Sequence, residues 1–297
     1  MKTALYVFTL AVVSAVIGVV FNALFAEGAA LSGAVVNQLV HTVLAIVLGL
    51  FLVLRLAHAM YQYSVCKAAI CNFYAAAATL AITASFVTEA LTISAGAEHE
   101  KKGMSNFRTE LARTLGFAAR CVSHAIKGEP VAKDAHLMTV EDMLIISSAA
   151  RPTPALYAVK LATKLLAAQH EAGRLNAALC AQASVSVSQM VSAYNTIAAS
   201  KMPVPASLGE FATAWLFGFC FTVPVVISAL TFTTPWVSPC ASLLVSAFFF
   251  ALNEMSVQLE DVSAVFTHDV SLAEAEAQLM ADLHLFAAES SPIEGML

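Results

Sequence analysis

An all-α, multi-pass membrane protein is the fold class the sequence predicts, and three observations carry it. Leu31 to Leu54 runs 24 residues without a charge and closes on Arg55. At about 1.5 Å per residue it reaches roughly 36 Å, more than the roughly 30 Å hydrocarbon core of a bilayer. Residues 211–253 are uncharged over 43 positions, enough for two passes. Finally, 59% of the 297 residues are hydrophobic and 12% charged, against about 25% charged in a soluble domain.

Four stretches follow in order. Residues 1–98 hold the first and second spans and the helix after them, 99–201 a cytosolic helical block, 202–253 a re-entry and the last spans, and 254–297 an acidic cytosolic segment. The uncharged run Thr3 to Ala26 follows Lys2 and has small residues at cleavage-like positions, Ala23 and Ala26. A signal-peptide core spans only about 7–15 residues, so a retained first span is favoured. Asn22 to Gly33 is read as a short Ala- and Gly-rich loop, which makes the first two spans antiparallel neighbours. Ala68 to Thr88 is Ala-rich; small residues suit helix–helix contact better than lipid, so it is read as a helix leaving the bilayer and continuing over Tyr61 to Ile93 inside protein.

From Arg108 to Lys201 apolar residues recur at three- and four-residue spacing, as at Leu111, Leu115, Ala118 and Val122, which predicts soluble helices. Arg151-Pro-Thr-Pro154 breaks the block, and a helix is expected from about Ala155 to Leu179. Met202-Pro-Val-Pro205 turns the chain back to the membrane. Pro224 sits inside the next span, and Trp236 lies in a turn at the interface. Cys240 to Leu252, 13 residues, is short for a span on its own, and the chain is expected to leave the bilayer after Glu254. Ser271-Leu-Ala-Glu274 has capping-box spacing and predicts a helix to about Phe286.

Charge is placed unevenly. Twelve of the fifteen Lys and Arg lie between Lys101 and Lys201, nothing basic follows Lys201, and nine acids lie between Glu254 and Glu294. Basic loops stay on the cytoplasmic or equivalent side, which orients the block there and lets the acidic segment dock on it. Six scattered cysteines without C-x-x-C spacing predict free thiols. No phosphate loop, H-E-x-x-H or nucleophile elbow is present, so no catalytic constellation and no enzyme is read. His41, inside the second span, is read as an interhelical hydrogen-bond partner, with a transport-path role as the alternative. Nothing points to nucleic acid.

The order of these parts resembles the bestrophin family of anion channels. Leu52-Val-Leu-Arg55, with Tyr63 and Lys67 downstream, is similar to that family's end of the second span, L-V-F-R-T-N-x-A-Y-x-R-W-W-E-G-R-K. Met202-Pro-Val-Pro205 resembles its T-P-I-P element, and Phe221-Thr-Val-Pro224 its L-P-F span. Gln258-Leu-Glu-Asp261 followed by Asp269-Val-Ser-Leu272 resembles E-L-E-D-P-F-G-x-D-x-x-D-L-P-L. Departures are Gln62 for the family's arginine, Val65 for its glutamate, Val262-Ser-Ala264 for P-F-G and Phe266 for the middle acid.

The resemblance implies a homopentamer around a central pore that conducts chloride, or bicarbonate, passively across membrane lipid. It places a hydrophobic neck at Leu39, Val43 and Val47 and a cytosolic aperture at Met202, and it points to calcium at Glu260, Asp261 and Asp269. The substitution of small aliphatics where many relatives carry Phe implies a wider neck. Two alternatives stay open: a non-conducting assembly or structural relative, and an unrelated membrane transporter. Plasma membrane and thylakoid membrane are both open. No transit peptide precedes Thr3, and the family's usual basic segment before the first span is missing, which reads as a trimmed start.

Overall fold

The computed structural model describes residues 2–26, 38–92, 98–129, 136–148, 153–200, 206–231, 236–260 and 269–288. Helices account for nearly all of them, and no strand occurs among the described residues. In chain order they are α1 Lys2–Ala26, α2 Gln38–Thr92, α3 Glu98–Lys127, α4 Val140–Ser148, α5 Pro154–Glu171, α6 Ala177–Ser200, α7 Ala206–Thr231, α8 Val237–Glu260 and α9 Val270–Ala288. Among the described residues, four segments are long and apolar enough to cross a membrane: Leu5–Leu24, Leu39–Ser85, Gly209–Ala229 and Val237–Glu260. The chain is therefore an integral, multi-pass membrane protein.

The chain divides into two compact units. The first, Met1–Tyr63 with Met202–Asp261, contains α1, the start of α2, α7 and α8. Here α1 packs on both α7 and α8, which also pack on each other. A cluster of Leu48, Leu52, Leu216, Phe219, Cys220, Val223 and Phe250 fills one core. Around α1 the usual polarity is reversed. Ala11, Ser14, Gly18 and Asn22, at three- and four-residue spacing, face inward, while Leu5, Phe8, Val16 and Val20 face out. On α8, Ser238, Ser242 and Ser246 are fully buried while Leu244 and Phe248 are exposed.

Lipid explains the inversion, because a large aliphatic loses nothing in hydrocarbon whereas a hydroxyl there must find a partner. Ser246 donates to Ser14 Oγ at 2.7 Å, Ser14 donates to the Cys220 carbonyl at 2.9 Å, and Ser228 donates to the Gly18 carbonyl at 3.0 Å. These bonds tie α1 to α7 and α8 inside the apolar region.

The second unit, Ser64–Lys201 with Val262–Leu297, takes the rest of α2, then α3 to α6 and α9. Within it α3 packs on α5 and α9, and α5 on α6. As the Ala-rich composition predicts, α2 continues unbroken through residues 68–88 as part of a 55-residue helix. Its buried positions there, Ile70, Phe73, Ala77, Leu80 and Ala84, keep helical spacing. Leu111, Leu115, Ala118 and Val122 of α3 are all buried, as expected. The helix ends at Gly128, whose φ of +67° suits a residue without Cβ, and the Glu129 amide closes the turn on the His124 carbonyl at 3.0 Å.

Three expectations on local structure are corrected. The helix expected from Ala155 to Leu179 is two: α5 begins with Pro154 in its first turn and ends at Glu171. Gly173 at φ +70° then breaks it, and the Asn176 side chain caps α6 by accepting from the Leu179 amide at 2.8 Å. The chain does not end its span at Leu252, because α8 runs 24 residues to Glu260 and so has the length of a full crossing. The cap of α9 is Asp269 and not Ser271, since Asp269 Oδ1 accepts from the Ser271 amide at 3.0 Å and from its hydroxyl at 2.7 Å. The short α4 is N-capped by Thr139, whose Oγ1 accepts from the Asp142 amide at 3.2 Å and donates to Asp142 Oδ2 at 2.6 Å. The other oxygen of Asp142 accepts from Tyr157 at 2.9 Å, which fixes α4 to α5; desolvation, and after it this bond to a carboxylate, raises the Tyr157 pKa.

All six cysteines are free: Cys66, Cys121 and Cys220 are buried, Cys180 is half-buried, and Cys71 and Cys240 are exposed. Residues 27–37 and 232–235 and the sequence element Met202-Pro-Val-Pro205 lie outside the described residues.

Candidate functional site

The start of α2 has two unlike faces. Leu48 and Leu52 are buried in the core of the first unit. Leu39, Val43 and Val47, four residues apart, share another face and are 72%, 51% and 54% exposed. Their own chain leaves this aliphatic row uncovered, with Val40 and Ile46 beside it. His41 lies on the other side of the helix, lining a groove with Trp215 and Thr222 of α7. Two turns past Leu48, Arg55 locks the helix to α8.

Arg55 Nε meets Glu260 Oε1 at 2.6 Å and Nη2 meets Oε2 at 2.7 Å, a bidentate pair, while Nη1 donates to Asn253 Oδ1 at 3.0 Å. The side chains of Arg55 and Glu260 are only 9% and 19% exposed. A planar guanidinium matches a carboxylate in this fork, so the pair fixes both the angle and the register of α2 against α8. Glu260 thus appears as the end of a helix clamp. Asn253, two helical turns before Glu260 on α8, is a partner that sequence reasoning missed; its place inside an uncharged run was the available signal.

Asp269 sits in the second unit. Its Oδ2 accepts from Lys67 Nζ at 2.8 Å while its Oδ1 caps α9. Farther along α9, Glu276 reaches Arg120 of the basic block at 3.2 Å, so part of the acidic segment does meet that block. Met202 and Asp261 lie outside the described residues. Gln62, the departure from the motif's arginine, lies 3.0 Å from His58 on the surface of α2. Among the described residues no group of three or more His, Cys, Asp or Glu converges as a metal site would require.

The double duty of Asp269 gives a graded expectation. Asp269→Ala removes the cap of α9, worth about 0.5–2 kcal/mol, while Asp269→Asn keeps a capping oxygen and removes only the pair with Lys67. Because Lys67 is 36% exposed, that pair contributes little. Thermal melts of the purified protein should therefore rank the original chain close to Asp269→Asn, with Asp269→Ala clearly below both.

Four candidate crossings among the described residues, one of them with an uncovered aliphatic face and a charged clamp, define a helical, multi-pass membrane protein. A family model described as bacterial/fungal bestrophin protein matches residues 2–282. The chain belongs to the bestrophin family, a family of channels. Its fold agrees with solved structures: a bacterial bestrophin homologue from Klebsiella pneumoniae aligns with a TM-score of 0.74 at 17% identity, covering 96% of this chain and 98% of that one. A single-substitution variant of the Klebsiella pneumoniae protein gives 0.75 at 17% identity over 96% and 99%. A structure described as a membrane protein variant gives 0.77 at 17% identity over 96% and 98%. None of the curated proteins matches the chain.

Proposed function

We propose that the protein is an anion channel that passes chloride and similar small anions, such as bicarbonate, down their gradients through a homopentameric pore. Leu39, Val43 and Val47 form its hydrophobic neck. The observation that carries this reading is the uncovered aliphatic row of α2, held at a fixed angle by a core on one side and by the Arg55–Glu260 clamp at its end. Rings of such side chains around a common axis exclude water when close together and admit hydrated ions once they separate by a few ångströms. Met202 belongs to a second constriction at the cytosolic exit. Anion preference comes from the Lys and Arg of the 99–201 block and from helix N-termini aimed at the path.

Calcium enters the reading only through the family. It takes six to eight oxygen ligands, but both oxygens of Glu260 are held by Arg55 and both of Asp269 by Lys67 and the α9 cap. Glu260 and Asp269 would each have to give up a partner to ligate the ion, and no step is routed through it. Currents recorded with and without micromolar calcium should be the same; a calcium-dependent opening would mean that the ion displaces these partners.

The small aliphatics give a direct test of the neck. Val43→Phe adds an aromatic ring per subunit to the narrowest zone, so unitary chloride conductance should fall severalfold while thermal stability stays near that of the original chain, since Val43 is half exposed. Unchanged conductance and gating would remove Val43 from the path.

A further inference from the structure

Two cavities of the first unit meet on one side of α2. One, of about 570 Å³, is bordered by Arg55, Glu210, Thr213, Ala214 and Glu260. The other, of about 390 Å³, is a largely apolar groove between Leu44 and Leu48 of α2 and Trp215 and Gly218 of α7, with the polar side chains of His41 and Thr222 also in its wall. Ala214 borders both. Leu44, Leu48 and Arg55 lie roughly 120° around the helix from Val43, so this is a different face from the proposed neck.

We propose that the two cavities form one seat for a phospholipid whose headgroup carries an ammonium group, with an acyl chain in the groove and the headgroup at Arg55 and Glu210. The groove runs from Ala214 to Thr222, about 12 Å along α7, close to the depth of one leaflet at roughly 15 Å. Gly218 forms part of its wall, and a Cβ there would meet nothing within 4 Å, so the space is open where any other residue would narrow it. At the polar end, a guanidinium has five N–H groups. Three of those on Arg55 go to Glu260 and Asn253, which leaves two for a phosphate oxygen. Glu210, exposed at the mouth, supplies the carboxylate for an ammonium. An anionic headgroup without an amine meets Glu210 as a like charge. Arg55 follows the apolar start of α2, at the cytosolic end of that span in the orientation read from the charge bias, which puts the seat in the cytoplasmic leaflet.

Trp215 is the built-in reporter. The chain has two tryptophans, so Trp236→Phe leaves Trp215 alone, and the protein is titrated in vesicles with phosphatidylethanolamine or phosphatidylglycerol brominated at mid-chain. The seat predicts saturable quenching of Trp215 at low mole fraction, severalfold stronger with the ethanolamine lipid. Gly218→Leu should abolish the saturable part, and Glu210→Gln should bring the two headgroups level. Equal quenching by both lipids with Glu210 intact means bulk lipid at an unspecific surface and overturns the proposal. Absence of quenching by either in folded protein means that a second copy of the chain covers the groove, and overturns it as well. If Gly218→Leu does not fold, the Glu210→Gln comparison decides, because Glu210 is exposed and outside the core.

Discussion

Glu260→Ala should lower stability by about 3–5 kcal/mol, the largest loss expected from any single side chain, because it strands a guanidinium that is 9% exposed beside the membrane. The clamp consists of three hydrogen bonds, two to Glu260 and one to Asn253. Desolvation of both charges largely offsets their attraction, so the intact pair contributes modestly while a broken one is costly. That asymmetry sets the pattern of a double-mutant cycle. Glu260→Ala and Arg55→Met should each melt well below the original chain, whereas Arg55→Met combined with Glu260→Leu should recover most of the loss. Asn253→Ala should fall between, at about 1.5–3 kcal/mol, as one hydrogen bond to a charged group is removed. Because membrane proteins often unfold irreversibly, the comparison is best made as inactivation half-life at a fixed temperature. If Glu260→Ala matches the original half-life, the clamp does not hold α2.

Gly18→Leu is expected to be the second most damaging change, at about 1–3 kcal/mol or more from overpacking. Even a Cβ at Gly18 would lie 3.3 Å from the hydroxyls of Ser238 and Ser242 and 3.5 Å from the Pro239 Cα. A leucine must therefore push α1 away from α8 and break the bonds from Ser246 to Ser14 and from Ser228 to the Gly18 carbonyl. Single hydroxyl deletions should be far milder. Ser246→Ala is expected to cost about 0.6 kcal/mol, the usual worth of an interhelical hydrogen bond in a membrane. Ser242→Ala should be neutral or slightly stabilising, because its buried hydroxyl has no hydrogen-bond partner. Melts of the three variants would show this order; a Gly18→Leu protein as stable as Ser242→Ala would mean that α1 is not closely packed.

How much was legible in the sequence follows from what each signal measures. Uncharged length located the spans, and the order of spans, basic block, Pro-x-Pro and acidic segment pointed to the family even where single motifs had decayed. Periodicity located Leu111, Leu115, Ala118 and Val122 in a core. What stayed hidden was direction inside the bilayer. Hydropathy counts Ser14, Ser238, Ser242 and Ser246 as weak spots in a span, although in lipid they are the inward face, and only the partners from α1, α7 and α8 reveal it. Asn253 was hidden for the same reason, because its partner is 198 residues away.

Local turn chemistry accounts for the other differences. Gly173 breaks a run whose composition is otherwise uniformly helical, and Asp269 outcompetes the Ser271 capping box because its carboxylate accepts from both the amide and the hydroxyl of Ser271. The full length of α8 was not legible because an acid such as Glu254 reads as the exit from the bilayer. In fact Glu260 is retained at its last turn by an arginine from α2.

The measurement that bears most directly on the central reading is single-channel recording of the purified protein in planar bilayers under asymmetric chloride. The account predicts currents that reverse near the chloride equilibrium potential and shrink in Val43→Phe. Currents that reverse at the cation potential, or silence from a preparation shown to be a folded pentamer, would contradict it.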